Sequence, residues 1–378
     1  MKILMLLSNP FMVDPRVYKE AKTLIEAGHE VTVVVWDRKD EYESESIIEG
    51  IRVIRVKNRG LMNLLPNDIF RNPLWWINAY KKGLELYRSG NFTYDVVHCH
   101  DLDTLLSGVL LKRKLGVKLV YDAHEIFGYM ISWDVPKIVT KFAFILEKTL
   151  VSYVDNIITV SEPVIDYFKS ITDKPITLVM NCKEMTIQNH QPPNSNVFTL
   201  AYIGVLHRRR FFPELVDTIG RIDDVKLLLV AKQENMKLYE SVKNKSKAYN
   251  NIEFLGTIPY EKVIPMTLKS NAVISIVDDS HPSTKIGIMT KLFDAMACGR
   301  PIIVSDNIYS ANFVKQHDCG LVVSYDPKSI SEAVIKLRDN PSLCKKLGTN
   351  GFRAAKRYYN WEIQKERLLN LYSQMNNQ

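Results

Sequence analysis

The sequence predicts an α/β protein made of two similar doubly wound domains, each a parallel sheet flanked by helices. Three observations predict it. Apolar, β-branched runs alternate with longer amphipathic segments along all 378 residues, the pattern of βαβ units. Six such runs fall in each half. Between the halves, Asn189–Asn196 is polar and Pro-rich and reads as a linker. The expected organisation is an N-terminal domain over 1–188, a C-terminal domain over 197–358 and a closing helical segment over 359–378.

In the first half the predicted strands are Lys2–Leu7, Glu30–Trp36, Arg52–Val56, Asp95–Cys99, Lys118–Tyr121 and Asn156–Val160. Asp14 and Pro15 form an N-cap and a first-turn proline ahead of a helix over Arg16–Ala27, which Gly28 stops. The second half continues with Thr199–Ile203, Lys226–Val230, Ile252–Leu255, Ala272–Val277, Pro301–Val304 and Gly320–Val323. A helix over Thr290–Cys298 is closed by Gly299, with Pro301 opening the next strand. Ile363, Leu368, Leu369 and Leu371 mark a final helix over Trp361–Met375.

Composition excludes several classes. Apolar residues make up 46% and charged residues 24%, which is ordinary for a packed globular chain. No run approaches the ~18 apolar residues that span a bilayer, and MKILMLLSNP reads as a first strand, not a signal segment. The five cysteines are odd in number and form no C-x-x-C, so a reducing, cytoplasmic location is expected, without a disulfide framework or zinc site. Residues 1–180 carry 23 basic and 23 acidic side chains; residues 181–378 carry 27 and 19. The whole net charge of +8 therefore lies in the second half, where an anionic ligand is one reading and scattered solvated lysines the other.

Ligands of open α/β sheets bind at the carboxyl ends of the strands, and the unusual polar residues collect there. In the first half these are His98-Cys-His100-Asp101-Leu-Asp103 and Asp122-Ala-His124-Glu125; in the second, Gly204-Val-Leu-His207-Arg208-Arg209-Arg210 and Asp278-Asp279-Ser280. Two such crevices suggest one site in a cleft between domains. The turn after the first strand is Ser8-Asn9-Pro10, so neither a dinucleotide fingerprint nor a P-loop is present. His98 and His100 share one strand face, which permits chelation. No third ligand stands at a metal-like spacing, so these residues are read as lining the cleft and no metal is expected. His124 reads as a site residue at a strand end. The three arginines read either as a solvated basic turn or as a diphosphate clamp combining charge with helix N-terminal amides. Lys291 and Asp294 share a helix face and could meet a phosphate and a ribose.

Taken together, the segments 14–34, D-V-V-H-C-H-D-L-D-T-L (95–105), V-Y-D-A-H-E (120–125), V-D-N-I-I-T-V-S-E (154–162), Y-I-G-V-L-H-R-R-R (202–210), F-L-G-T-I-P-Y-E (254–261) and K-L-F-D-A-M-A-C-G-R-P-I-I (291–303) resemble the family 4 glycosyltransferases. The resemblance implies a GT-B fold: two Rossmann-like domains, a cleft between them and a C-terminal helix crossing back to the first. It implies metal-independent, hexosyltransferase-type transfer from a nucleotide diphosphate sugar with retention, a UDP-sugar being expected ahead of a GDP-sugar, and no other cofactor. His124, with Glu125 and Asp101, takes the catalytic positions. Gly204, Arg209, Arg210, Gly287, Lys291 and Asp294 take the donor-binding ones, Arg210 at the diphosphate and Asp294 at the ribose. Arg16, His100 and Asp103 fall on the acceptor side. The chain departs from the family pattern in four places. Ile286 stands where the first acid of E-x7-E belongs, and Asp294 is shorter than Glu by about 1.5 Å. Val205 replaces the first arginine of the usual G-R-L, and the Gly-Gly loop after the first strand is missing.

The resemblance further implies a glycan or lipid-linked acceptor, in glycolipid or surface polysaccharide synthesis, and no nucleic acid partner. Pro73–Leu84 mixes aromatics with lysines; it is read as packing on the sheet, with peripheral contact to an anionic membrane at its inner face as the alternative. Two other functions stay open: a GT-B nucleotide-sugar epimerase, and a degenerate non-catalytic subunit, which Ile286 suggests.

Overall fold

The computed structural model describes residues 1–12, 14–187 and 197–376. The expected linker, Asn189–Asn196, lies outside them. The chain divides into two compact units, Met1–Met180 with Gln364–Gln378, and Asn181–Ile363.

The first unit is built on eight strands: β1 (Lys2–Leu7), β2 (Glu30–Asp37), β3 (Glu45–Ile48), β4 (Ile51–Lys57), β5 (Val96–His100), β6 (Lys118–Ala123), β7 (Asn156–Thr159) and β8 (Ile176–Leu178). Their order is β3-β4-β2-β1-β5-β6-β7-β8, and all neighbours are parallel except the β3–β4 pair. β1 and β2 are apolar over most of their length because helices cover both faces; Ile3 to Leu6 and Val33 to Trp36 are fully buried. β3 and β8 are additions to the expected six strands. Both lie at sheet edges, where one side of the ladder meets solvent, so neither needs a long apolar run. β3 alternates exposed and half-buried residues, and β8 has three residues.

The helix Pro15–Glu26 follows β1 and begins as its sequence dictates: the Asp14 carboxylate accepts from the Val17 N–H at 3.1 Å. The helix Asp68–Arg88 contains the Trp75-Trp76 pair. Trp75 is fully buried and stacks on Trp36 at 5.4 Å, and both indole N–H groups donate to the Asp103 carbonyl. The two tryptophans that suggested an interfacial helix are therefore spent on packing and internal hydrogen bonds. The last helix, Trp361–Asn376, contributes to the first unit from Gln364 onward. There the Gln364 side chain accepts from the Met180 N–H at 2.9 Å and Lys365 pairs with Glu26 at 2.7 Å.

The second unit has six strands, all parallel: β9 (Phe198–Val205), β10 (Val225–Lys232), β11 (Ile252–Gly256), β12 (Ala272–Ser275), β13 (Ile302–Ser305) and β14 (Gly320–Val323), in the order β11-β10-β9-β12-β13-β14. One face packs Tyr202, Phe212, Leu215, Leu229 and Ile274 beneath the flanking helices. In each sheet the winding reverses once, between β1 and β5 in the first and between β9 and β12 in the second. Such reversals open a crevice at the strands' carboxyl ends, and they place the site residues.

Gly108 sits in the middle of the helix Leu102–Leu115, where glycine costs about 1 kcal/mol relative to alanine. A side chain there would collide with Cys99 Sγ and stand 2.8 Å from Leu119 Cδ1, so the helix rests on β5 and β6 only because that side chain is missing. Gly108→Val is expected to destabilise the protein by about 1–3 kcal/mol through overpacking, read as a lower urea midpoint.

Candidate functional site

β5 sends His98 and His100 to one face, two residues apart, and their rings stack at 4.4 Å. β6 pairs in register so that Asp122 lies opposite His100. Around Asp122 a network closes. Arg16 donates to both carboxylate oxygens, Nε to Oδ2 at 3.0 Å and Nη2 to Oδ1 at 2.8 Å. His100 Nδ1 lies 3.2 Å and His124 Nε2 3.1 Å from Oδ2. Asp122 is fully buried. Burial works to raise its pKa, but the Arg16 guanidinium and then the His124 imidazolium outweigh it and hold the carboxyl well below its usual range.

His124 is held from the other side by Asp101. The His124 backbone N–H donates to Asp101 Oδ1 at 3.1 Å, and Nδ1 lies 3.4 Å from Oδ2. Burial opposes its charge, but Asp101 and then Asp122 prevail, and the imidazole pKa rises to about 10. A side chain charged at neutral pH, with 18% of its surface accessible, is a hydrogen-bond donor and fixed cation, not a general base. Asp101 itself is pushed up to about 7, chiefly by burial. It leaves β5 at φ 61°, a conformation that costs a non-glycine residue about 1–3 kcal/mol. Its N–H donates to the Asp122 carbonyl at 2.9 Å, so the strain is fixed by the same network.

The other first-unit candidates take different places from those expected. Arg16 and His100 are internal, 5% and 0% exposed, because both are committed to Asp122. Both therefore lie beneath the surface at the strand ends and do not line it. Asp103 is half-buried and accepts from Ser8 Oγ at 2.5 Å, tying the β1 and β5 turns together. Glu125 is exposed in the turn after β6. Sequence reasoning noted Asp122 only as a flank of His124 and passed over Glu20 and Tyr372. Glu20 is fully buried, 3.0 Å from Arg16, and burial pushes its carboxyl up to about 8. Tyr372 Oη lies 2.7 Å from His98 Nδ1.

Glu20, His98, His100 and Asp122 place four potential ligand atoms within 4.8 Å of one another. The third and fourth ligands that spacing could not show come from other elements of the fold. Arg16 already supplies the cation here, bridging Glu20 and Asp122, so a metal ion would have to displace it.

In the second unit, the penultimate residue of β9 is Gly204, whose φ is +153°. A Cβ there would stand 2.7 Å from Lys291 Nζ and 3.7 Å from Arg210 Nη1. Two cations thus converge on one stretch of bare backbone. Lys291, from the helix Thr290–Ala297, is buried with its ammonium 4.9 Å from the Tyr202 ring centre. Its pKa lies well below the ordinary value, first through burial and then through Arg210, with Asp294 offsetting only part. Arg210 Nη1 donates to the Val205 carbonyl at 3.2 Å. Arg208–Arg210 form one 3-10 turn, and the following helix begins only at Glu214, so the clamp rests on charge instead of helix amides. The Arg209 carbonyl accepts from the Asp278 N–H at 2.7 Å, which ties the turn to the end of β12.

Asp294 pairs with Lys183 at 3.0 Å, and Lys183 Nζ also donates to Tyr260 Oη at 2.6 Å while lying 4.2 Å from that ring. Lys183 had no signal in the sequence, and Tyr260, although inside the segment 254–261, had none that joined it to Asp294; both are remote from Asp294 along the chain. Gly287 caps the helix Pro282–Ile286 through its N–H to the Ser283 carbonyl at 2.9 Å, and its own carbonyl accepts from Ser310 Oγ.

Two outcomes follow from these networks. Because the folded pKa of His124 exceeds the unfolded one, its pairing stabilises the protein fully below about 6.5 and is lost as pH rises through about 10. Histidine NMR is expected to show His124 protonated through neutral pH, and Asp122→Asn to bring its titration down towards about 6.5. Lys183→Met leaves the Asp294 carboxylate without its cation and is expected to cost about 3 kcal/mol in urea unfolding, largely recovered by adding Asp294→Asn.

Comparison with known proteins agrees with this architecture. The family description "Glycosyltransferase Family 4" matches residues 15–182, and "Glycosyl transferases group 1" matches residues 198–340. The chain is 22% identical over 296 residues to the putative glycosyltransferase EpsD of Bacillus subtilis, covering 71% of this chain and 73% of that protein. Among solved structures, sucrose-phosphate synthase from Thermosynechococcus elongatus superposes with a TM-score of 0.80 at 17% identity over the whole of both chains. Anabaena HepE in complex with UDP does so with a TM-score of 0.73 at 15% identity, over 99% of this chain and all of the other. With two parallel-sheet units, the polar clusters at their strand ends and both family descriptions matched in sequence order, this chain belongs to the family 4, group 1 glycosyltransferases and has their GT-B fold.

Proposed function

We propose that the protein moves a hexose from a UDP-sugar to a hydroxyl of a glycan or lipid-linked acceptor, with retention of configuration. The observation that carries this reading is the convergence of Lys291 and Arg210 on Gly204. A buried ammonium beside a half-buried guanidinium, with little compensation, is unfavourable in the free protein and lowers the Lys291 pKa, and a diphosphate relieves it. UDP is favoured because HepE, of like fold, is described in complex with UDP and with UDP-glucose.

In the reaction the bond from the anomeric carbon to the diphosphate oxygen breaks and a bond to the acceptor oxygen forms on the same face. The acceptor hydroxyl gives its proton to the departing phosphate oxygen, so no enzymic base is needed. Charge grows on the diphosphate as it leaves, and preorganised cations stabilise that charge more in the transition state than in the ground state. Lys291 and Arg210 supply this without a divalent ion. Asp294, shorter than glutamate and shared with Lys183, faces the ribose. On the first unit, His124 offers an imidazolium donor to a hydroxyl-rich ligand. Glycolipid or surface-glycan synthesis at the cytoplasmic side of a membrane is the setting this chemistry suits. Ile286, in place of the first family acid, favours as second reading a subunit that binds the nucleotide sugar without turnover.

UDP is expected to raise the melting temperature by about 5 °C at saturating concentration, and Arg210→Ala to abolish most of that shift. UDP release from UDP-glucose that depends on an added acceptor separates transferase from silent subunit. Anion binding raises the lowered Lys291 pKa back towards its ordinary value, so binding is accompanied by proton uptake wherever the free amine is not fully protonated. Above pH 7 the terminal phosphate, with a pKa of about 6, is already ionised. UDP affinity should therefore fall as pH rises there, and calorimetry in buffers of different ionisation enthalpy should report the uptake. Lys291→Met should remove the proton uptake.

A further inference from the structure

The helix Lys137–Leu150 of the first unit has two apolar faces, and only one is used. Ala143, Glu147 and Leu150 face inward and are buried. Ile138, Phe142 and Ile145, on the opposite side, are 76%, 55% and 65% exposed. At about 100° per residue these three fall within about 60° of one another, so they form one stripe. The segment before the helix enlarges it: Trp133 is 55% and Met130 39% exposed. Met130 belongs to the short helix Phe127–Ile131, which packs on this one through Tyr129 against Phe144 at 5.2 Å. An exposed apolar surface of this kind on a water-facing protein marks a contact site.

Charge identifies the occupant. Lys137, Lys141 and Lys148 are all exposed and lie within about 40° of one another, roughly a quarter-turn from the apolar stripe. They form a basic ladder along its flank. The single acid of the helix, Glu147, is turned inside, where Tyr121 and Tyr167 each donate to it at 2.7 Å. Asp134, in the preceding turn, is the one exposed carboxylate of the segment 130–150. A second copy pairing antiparallel through this face would set lysines against lysines. A bilayer with anionic headgroups neutralises them while its acyl boundary takes the apolar stripe, which is the arrangement of interfacial helices.

We propose that this face of the helix Lys137–Leu150, with Met130 and Trp133, docks the first unit onto an anionic lipid bilayer. The docking is independent of nucleotide binding and replaces Pro73–Leu84 as the membrane contact, since Trp75 there is buried in the core.

The test is sedimentation of the full chain with vesicles of phosphatidylcholine alone and of phosphatidylcholine mixed with phosphatidylglycerol. Binding to the mixed vesicles is expected to exceed binding to neutral ones and to weaken several-fold between about 0.05 and about 0.5 M salt. The double variants Phe142→Ser/Ile145→Ser and Lys137→Glu/Lys141→Glu should each lower partitioning at least about tenfold, while Lys81→Glu should not. Trp133 emission should shift to the blue on vesicle addition, a change that Trp133→Phe removes. Circular dichroism and an unchanged UDP melting shift in the variants show that they are folded. Failure of the wild type to bind anionic vesicles, or equal binding by the variants, overturns the proposal. A dimer in solution that Phe142→Ser dissolves also overturns it, in favour of a second copy. Vesicle binding without any UDP shift leaves the docking intact and counts against the nucleotide reading instead.

Discussion

The buried pair between Arg16 and Asp122 is the constraint on which the first unit's site depends. A planar guanidinium meets both carboxylate oxygens, the geometry that makes such pairs strong and directional. Its third contact, to the Val179 carbonyl at 2.8 Å, ties the helix after β1 to the end of the sheet. With Asp122 kept ionised, His124 is kept protonated, and Asp101 is held at its strained turn between them. Removing either partner would strand a charge in the interior, where isolated ions are poorly tolerated. The polar residues at the ends of β5 and β6 are thus one electrostatic unit, and His124 is its most accessible member.

The second unit treats charge in the opposite way. Lys291 and Arg210 are brought together with only partial compensation, because Asp294 is engaged by Lys183. The first unit closes its charges on themselves; the second leaves a positive deficit to be filled. This difference gives a local meaning to the sequence's uneven charge, balanced before residue 181 and +8 after it. Most of the excess is still surface lysine and arginine. Only a small portion of it, Lys291 and Arg210, gathers near Gly204.

Both sheets were largely legible in the sequence, since a strand covered on both faces must be apolar along its length. All twelve expected strands lie where their runs indicated, within a residue or two. The two extra strands escaped because an edge can be short and polar. The candidate site's placement was legible where a motif is local: His124 beside its strand, Arg210 after Gly204, Lys291 and Asp294 on one helix. What escaped depends on distant partners. That Arg16 turns inward rather than toward a ligand is decided by Asp122, far along the chain. That Asp294 is shared is decided by Lys183, whose backbone is held by Asn360 and Trp361.

Gly204 carries a consequence for how such a sequence can change. Its missing side chain is the space in which the Lys291 ammonium lies, 2.7 Å from where a Cβ would be. Alanine at 204 would push the Lys291 ammonium out of that space and would set a side chain on backbone at φ +153°, where one is strained. A change at this one position therefore alters two things at once, the course of the strand end and the seat of the lysine, although strands and helices separate the two residues in the chain.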